Sequence, residues 1–259
     1  MKSYFYYKNH LQTTIYQADN LEVLHRLTDK TIDFIYIDPP FNTGKIQKRA
    51  RNDMAYQDQF DDFLSFLKPR LTEAHRLLKD TGSLFFHIDH RESHYCKVLL
   101  DEIFGRPSFM NEIIWAYDYG GRSKRKWSAK HDTLFWYAKD PNNYTFNYAE
   151  IDRIPYMAPG LVGKEKAAVG KVDCTTVWWH TIVPTNSTEK TGYPTQKPLG
   201  VVSKIIKVHT HPRDLVLDFF AGSGTTGEAA LRLGRQPILV DSNPQAIAVI
   251  HQRLTPYIL

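Results

Sequence analysis

Short apolar runs typical of β-strands alternate along this chain with longer runs of helical periodicity. The first strand-like runs are TTIYQAD (13–19), IDFIYID (32–38) and GSLFFHID (82–89), with helical runs over residues 60–78 and 92–103. Near the carboxyl end the strands DLVLDFF (214–220) and PILVD (237–241) alternate with helices from Pro198, from Thr225 and from Pro244. Such alternation predicts an α/β fold with a mostly parallel, twisted sheet.

Two aromatic strand candidates interrupt the alternation. FMNEIIWAY (109–117) and DTLFWYAK (132–139) flank the basic stretch DYGGRSKRKWSAKH (118–131), and we expect them to form an antiparallel hairpin at the edge of the sheet. Residues 141–190 carry Pro, Gly, Asn and Lys without sustained periodicity, which is typical of a functional insertion. In the long helical run, Pro69 should kink or split the helix.

The composition limits the classes of protein to consider. The chain has 259 residues, which suits a single domain over residues 1–259, and a formal charge of +5 that favours polyanionic partners such as nucleic acid. The two cysteines, Cys96 and Cys174, lack zinc-site spacing, so we expect no metal and a reducing cytoplasm. His87 and His90 are expected to be polar residues after a strand. The sequence contains no run of about 18 apolar residues, the length that a membrane-spanning helix needs.

A glycine turn follows the strand that ends near Asp218. In DFFAGSGTTGEAA (218–230), Gly222 and Gly224 allow a tight turn and close backbone approach to a ligand, and a second acid, Asp241, closes the next strand 23 residues later. This order predicts a nucleoside site in a Rossmann-like sheet. The glycines also match the dinucleotide pattern G-x-G-x-x-G, so an NAD site remains an alternative at this point.

The stretch IDPPFNTG (37–44) places an acid, two prolines and an aromatic ring at a strand end. An exocyclic amine of a nucleobase is a poor nucleophile because its lone pair is delocalised into the ring. Asp38 and the carbonyl of Pro39 could each accept one of its hydrogens, and Phe41 could stack on an extruded base. A plain turn after a strand is the alternative interpretation of this motif alone.

Together, DPPF, DFFAGSGTT and the intervening YPTQKPL (193–199) resemble the S-adenosylmethionine-dependent DNA amino-methyltransferases that modify adenine N6 or cytosine N4. The resemblance implies a Rossmann-like methyltransferase fold with a circularly permuted motif order, the β-group order. It also implies the catalytic group Asp38, Pro39, Pro40 and Phe41. By the same resemblance, the cofactor site comprises Asp19, Asn20, Asp38, Thr195, Gln196, Lys197, Asp218, Phe219, Ala221, Gly222, Ser223, Gly224, Thr225 and Asp241.

Within the resemblance, Lys197 is expected to pair with the carboxylate of the cofactor. The chain departs from the family in having Phe41 where tyrosine is frequent, Phe219 where proline is common and Ala18 where glycine is common. Asp38 leans toward adenine N6, and transfer to cytosine N4 is the alternative. Methylation of RNA or of a protein glutamine is disfavoured because the related tetrapeptide there begins with Asn.

The basic loop is the expected contact with double-stranded DNA, since its cations can neutralise phosphates and its tryptophan can stack or wedge. These residues are Arg122, Lys124, Arg125, Lys126, Trp127 and Lys130. Residues 141–190 are the expected target-recognition segment. The resemblance allows a homodimer and a cognate restriction endonuclease as partners. A catalytically silent DNA-binding subunit of a modification complex is the alternative from another class.

Overall fold

The computed structural model describes residues 1–49 and 52–259. The strands are β1 (Lys2–Lys8), β2 (Leu11–Gln17), β3 (Ile32–Ile37), β4 (Lys45–Arg49), β5 (Asn52–Asp58), β6 (Leu78–Asp89), β7 (Phe109–Ala116), β8 (His131–Ala138), β9 (Arg153–Ile154), β10 (Lys171–Val172), β11 (Val177–Trp179), β12 (Leu215–Asp218) and β13 (Gln236–Asp241). The helices are α1 (Asn20–Leu24), α2 (Phe63–Leu77), α3 (Ser93–Phe104), α4 (Lys164–Val169), α5 (Leu199–His209), α6 (Thr225–Arg232) and α7 (Pro244–Ile258).

In the described residues, nine strands form one mixed sheet in the order β1-β2-β13-β12-β3-β6-β8-β7-β11. The strands from β2 to β6 in this order are parallel, as the alternation of strands and helices predicts. β7 and β8 form the expected antiparallel hairpin. The short β11, from within residues 141–190, adds a parallel strand outside β7. At the other edge β1 pairs antiparallel with β2.

Both faces of the sheet are covered by helices, and the side chains of β3 divide between them with period two. Ile35 and Ile37 are fully buried in a cluster with α2 and α3. Phe34 and Tyr36 are buried on the opposite side in a cluster with α5 and α6. A central strand with two apolar faces explains why IDFIYI is an almost continuous hydrophobic run.

The chain reverses its direction of winding between β3 and β12. From β3 the chain passes through α2 to β6 on one side, whereas from β12 it passes through α6 to β13 on the other. Leu217 of β12 is paired with Ile35 of β3. Ligands bind α/β sheets outside the carboxyl ends of the strands at such a switch point. Asp38, which follows β3, and Asp218, which ends β12, therefore lie at the same edge of the sheet, at this switch point.

The helices begin close to where the sequence predicts them. Asp62 caps α2 by accepting the N–H of Ser65, and Asn243 caps α7 by accepting the N–H of Gln245. Of the two outcomes expected at Pro69, a kink or a split, the split does not occur, because α2 continues through this residue as one element. Within the described residues, none of the helices combines the length and apolarity needed to cross a membrane.

Candidate active site

A cavity of about 340 Å³ opens where β3, β12 and β13 end. Segments far apart in the sequence form its wall, which fits the switch point of the sheet. Every residue of the predicted catalytic group lines the cavity, and so does every predicted cofactor residue except Gly224. The structure thus brings the two predicted sites into one compartment.

Asp38 follows directly after β3, where Pro39 and Pro40 have no N–H to continue the ladder. Its Oδ2 accepts a hydrogen bond of 2.6 Å from Nζ of Lys197. Its Oδ1 is buried and has no hydrogen-bond partner among the described residues; Nδ1 of His87, the ion-pair neighbour on that side, lies 3.8 Å away. A buried acceptor in the wall of a cavity calls for a donor on the ligand.

Lys197 lies against the catalytic group rather than reaching toward solvent. Besides its ion pair with Asp38, its Nζ lies 4.6 Å from the centroid of the Phe41 ring. The side chains of Lys197 and Asp38 are only 10% and 18% exposed, and charges buried to this degree need partners. We expect Lys197 to pair with the carboxylate of the cofactor, whereas in the structure its ammonium is bonded to one oxygen of Asp38.

Asp218 ends β12 at the floor of the cavity. It accepts the N–H of Phe220 at 2.9 Å and the hydroxyl of Thr226 at 2.6 Å, and burial raises its pKa to about 7. Gly222 and Gly224 follow with φ of +47° and +73°, conformations that favour glycine. Gly224 caps the start of α6, and a Cβ at this position would lie 3.1 Å from the side chain of Ile250 on α7.

Asp241 holds the glycine turn from the neighbouring strand. Its Oδ2 accepts the N–H of Gly222 and its Oδ1 accepts the N–H of Asn243, each at 2.8 Å. Burial raises the pKa of Asp241. Each carboxylate oxygen retains acceptor capacity, so this acid can also accept the hydroxyls of a bound sugar.

Arg70 is a cavity residue that the sequence did not single out. It lies buried on α2, where its Nε donates to Oδ1 of Asn20 at 2.6 Å and its Nη2 donates to Oδ2 of Asp19 at 3.0 Å. Asn20 in turn donates to the carbonyl of Phe219 at 2.8 Å. A signal existed, since Arg70 lies one turn after Leu67 on the apolar face of the helix.

The segment 193–197 closes the cavity from the side of α5. Thr195 has a φ of +56°, which is uncommon for a residue with a β-branched side chain. The amide of Gln196 bonds within its own loop, accepting the N–H of Thr191 at 2.9 Å and donating to the carbonyl of Glu189 at 2.8 Å. The hydroxyl of Thr225 donates to the carbonyl of Lys197 at 3.1 Å, which ties this segment to the glycine turn.

The basic loop between β7 and β8 is exposed. Trp127 is 97% accessible, while Lys124, Arg125 and Lys126 beside it are also exposed. Lys130 is instead half-buried, and its Nζ donates to the carbonyls of Tyr119 and Gly120. Lys130 thus shapes the loop, and the side chains presented to a partner are those at its tip.

The segment 141–190 contains short elements rather than a single unstructured loop. β9 pairs with β10, and β11 brings the two tryptophans beside β7. Trp178 donates its indole N–H to the carbonyl of Thr175 at 2.8 Å and lies 4.5 Å from Nζ of Lys204. Trp179 is 75% exposed. One tryptophan therefore packs and the other is presented to solvent.

Comparison with known proteins places these features in a family. Residues 32–252 match the DNA methylase family N6_N4_Mtase. The DNA adenine methyltransferase YhdJ of Escherichia coli (strain K12) is 28% identical over 253 residues, covering 93% of this chain and 82% of that protein.

Two solved structures share the fold. The M1.HpyAVI-SAM complex has a TM-score of 0.63 at 24% identity and covers 93% of this chain and 98% of its own. The cytosine-N4-specific PvuII DNA methyltransferase has a TM-score of 0.68 at 17% identity and covers 93% and 86%. Since the family match spans most of the sequence, including DPPF and the glycine turn, this chain belongs to the DNA methylase family.

Proposed function

We propose that this protein is a site-specific DNA methyltransferase that transfers a methyl group from S-adenosylmethionine to the N6 amine of adenine in double-stranded DNA. One observation carries the proposal. Oδ1 of Asp38 is a buried acceptor without a partner among the described residues, and Asp38 shares a cavity with the glycine turn. An amine that enters the cavity supplies the donor that this oxygen lacks.

The residues of the cavity fit the cofactor of the family. Gly222 and Tyr193 both line the cavity, and an added Cβ at Gly222 would lie 3.2 Å from the Tyr193 ring, so a side chain at this position would crowd the wall that faces the ligand. Asp241 would accept the ribose hydroxyls of the cofactor, and Asp19 would accept groups near the cofactor's adenine. Asn20 holds the glycine turn by donating to the carbonyl of Phe219. When bound there, S-adenosylmethionine supplies a methyl group already activated on a sulfonium.

The task of the protein is then to orient the amine. Lys197 fixes Oδ2 of Asp38, so Oδ1 faces the amine with little freedom to turn away. The two prolines fix φ on either side of the carbonyl of Pro39, the second acceptor of the proposal. Phe41 lines the same cavity and offers a face for an extruded base. Two preorganised acceptors localise the lone pair on nitrogen, which makes the amine nucleophilic.

The exposed tip of the basic loop and the segment 141–190 are the proposed DNA contacts. Arg122, Lys124, Arg125 and Lys126 would meet phosphates, and Trp127 would stack or wedge. Trp179 presents a second exposed ring from the recognition segment. A second copy of the chain, forming a homodimer, and a cognate restriction endonuclease are the proposed protein partners, because the family resemblance allows both.

Adenine is proposed over cytosine because the acid at position 38 leans that way within the family and the relative YhdJ carries adenine in its name. The test is digestion of DNA after incubation with the protein and S-adenosylmethionine, followed by mass spectrometry of the nucleosides. N6-methyladenine is expected. N4-methylcytosine would overturn the choice of base, and no methylated amine would overturn the proposal.

A matched pair of variants sharpens this test. Asp38→Ala should abolish transfer while S-adenosylmethionine still binds. Asp80→Ala removes an exposed acid that pairs with Lys30 near the opposite end of β6, and it should leave transfer unchanged. Equal activity in both variants would contradict the role given to Asp38.

A further inference from the structure

Behind Asp38 lies a fully buried histidine that the proposed function does not use. His87 lies within β6 and has no exposed surface, so the expectation that it is a polar residue after the strand is wrong. Its Nδ1 lies 3.8 Å from the free Oδ1 of Asp38 and 2.8 Å from the hydroxyl of Tyr36. The Phe41 ring centroid is 5.8 Å from that of the imidazole. His87 is thus next to the proposed point of reaction.

The other side of the imidazole is held by a buried acid. Nε2 of His87 lies 3.1 Å from Oδ2 of Asp132, and the hydroxyl of Tyr117 donates to Oδ1 of the same acid at 2.9 Å. Although burial alone would raise the pKa of Asp132, its hydrogen bond with His87 and the nearby charge of Lys197 keep that pKa below its usual value. A carboxylate accepts but cannot donate, so the proton of neutral His87 sits on Nε2. Nδ1 is then the basic nitrogen and faces Asp38.

We propose that His87, held by Asp132, is a positioning residue for Asp38 and receives from it the proton that the methylated amine releases. The inference rests on the proposed function, since that proton arises only if Asp38 accepts an amine. When the amine nitrogen has bonded to the methyl carbon and the carbon–sulfur bond has broken, the nitrogen carries one proton too many.

The proton passes to Oδ1 of Asp38 and then to Nδ1 of His87, forming an imidazolium beside the carboxylate of Asp132. Tyr36 yields its hydrogen bond to Nδ1 in this step. The gap of 3.8 Å closes to a hydrogen bond with a movement of about 1 Å. Since His87 has no exposed surface, the imidazolium returns the proton by way of Asp38, which lines the cavity, to water after product release. Asp38 is thereby restored as a carboxylate and can accept the next amine.

The surroundings of His87 support one added positive charge. The titratable groups that face this region come from several elements: Tyr36, Asp38, Asp89, Arg91, Tyr117, Asp132, Lys197 and Asp218. Four of these are aspartates, and both cations are already paired, Lys197 with Asp38 and Arg91 with Asp89. Tyr117 and Asp132 also flank the basic loop, one at each end. Asp132 is hydrogen-bonded to both Tyr117 and His87, so the two ends of the proposed DNA-contacting loop are connected to this histidine.

The first test is the isosteric variant Asp132→Asn. An amide can donate to Nε2 of His87, which would move the ring proton to Nδ1 and remove the base. Single-turnover methylation should fall about 100-fold while the Kd values for S-adenosylmethionine and DNA stay within about twofold. Asp101→Asn is the matched control, because Asp101 also accepts a tyrosine hydroxyl, that of Tyr137, yet lies on α3. It should leave the rate unchanged.

A second variant, His87→Gln, tests the same path without changing Asp132. The amide of glutamine can still donate to Asp132 but cannot take up a proton, so single-turnover methylation should fall about 100-fold while the Kd values for S-adenosylmethionine and DNA stay within about twofold. An unchanged rate in Asp132→Asn or in His87→Gln would overturn the inference.

A readout without catalysis separates this inference from the proposed function. Nitrogen-15 NMR of the imidazole in the protein alone should show the proton of His87 on Nε2 in wild type and on Nδ1 in Asp132→Asn. A wild-type proton on Nδ1 with Nε2 bare would overturn the inference. Should wild type methylate cytosine instead, the base is wrong and the ratio of variant to wild-type rates still decides the relay. Should it transfer nothing, the NMR result decides alone.

Discussion

Replacing Lys197 by methionine separates two roles for a single cation. The resemblance assigns Lys197 to the carboxylate of the cofactor, whereas the structure has its Nζ 2.6 Å from Oδ2 of Asp38. Methionine keeps most of the aliphatic length and removes the charge. If the ammonium serves to orient Asp38, the variant should lose kcat and keep its affinity for S-adenosylmethionine.

The size of the loss follows from the ion pair. A hydrogen bond to a charged group contributes about 1.5–3 kcal/mol, and the two side chains of this pair are 10% and 18% exposed, so water replaces little of it. If the whole of that energy supports the reactive orientation of Asp38, kcat falls about 10- to 100-fold, since each 1.36 kcal/mol is worth tenfold.

The assay is steady-state methylation of duplex DNA at saturating S-adenosylmethionine, combined with calorimetric titration of S-adenosylmethionine. Lys68→Met is the matched control because Lys68 forms an exposed ion pair with Glu102 on the helical face and should change neither quantity. A large rise in the Kd of S-adenosylmethionine with kcat preserved would refute the reasoning and return Lys197 to the cofactor.

Three further predictions follow from the cavity and the loop. Burial raises the pKa of Asp218 from 3.8 to about 7, so the folded protein holds this proton more tightly than the unfolded chain does. The contribution of Asp218 to the free energy of unfolding is therefore lost as the pH rises from about 4 to about 7. Asp218→Asn should flatten that fall in urea denaturation, and parallel pH curves for the two proteins would speak against it. Gly222→Ala should lower the free energy of unfolding by about 1–2 kcal/mol, because the φ of Gly222 is +47°. Gly121→Ala is the control, because Gly121 has open space around it, and it should lower the free energy of unfolding by less. Equal losses in the two variants would exclude the argument from the backbone conformation. Neutralising the three cations at residues 124–126 should reduce the slope of log K against log salt for duplex binding by about 0.9 for each DNA phosphate that the loop no longer neutralises, and an unchanged slope would remove these cations from the interface.

The parts of the fold set by local sequence were predictable. β3, β12 and β13 each combine a short apolar run with a terminating acid, and the capping pair Asn243-Pro244 marks the start of α7. Because strand ends of a parallel sheet meet at one edge, the sequence alone predicts that the acids at 38, 218 and 241 lie close together. The implied circular permutation of motif order stays a prediction.

The remaining features depend on contacts between distant residues. Lys197 and Asp38 are 159 positions apart, and no local pattern distinguishes a lysine that meets an acid from one that meets a ligand. His87 meets Asp132 only because β6 pairs antiparallel with β8. β1, with its exposed aromatic residues, is a strand because β2 offers it an edge, and its own sequence is half polar.

The most direct test of the central claim is a crystal structure of the protein with an unreactive analogue of S-adenosylmethionine and a duplex carrying its target site. We expect an adenine turned out of the helix, with its N6 about 2.7–3.2 Å from Oδ1 of Asp38 and the analogue in contact with residues 218–224. An adenine left stacked in the duplex, or an Oδ1 that meets no amine, would contradict it.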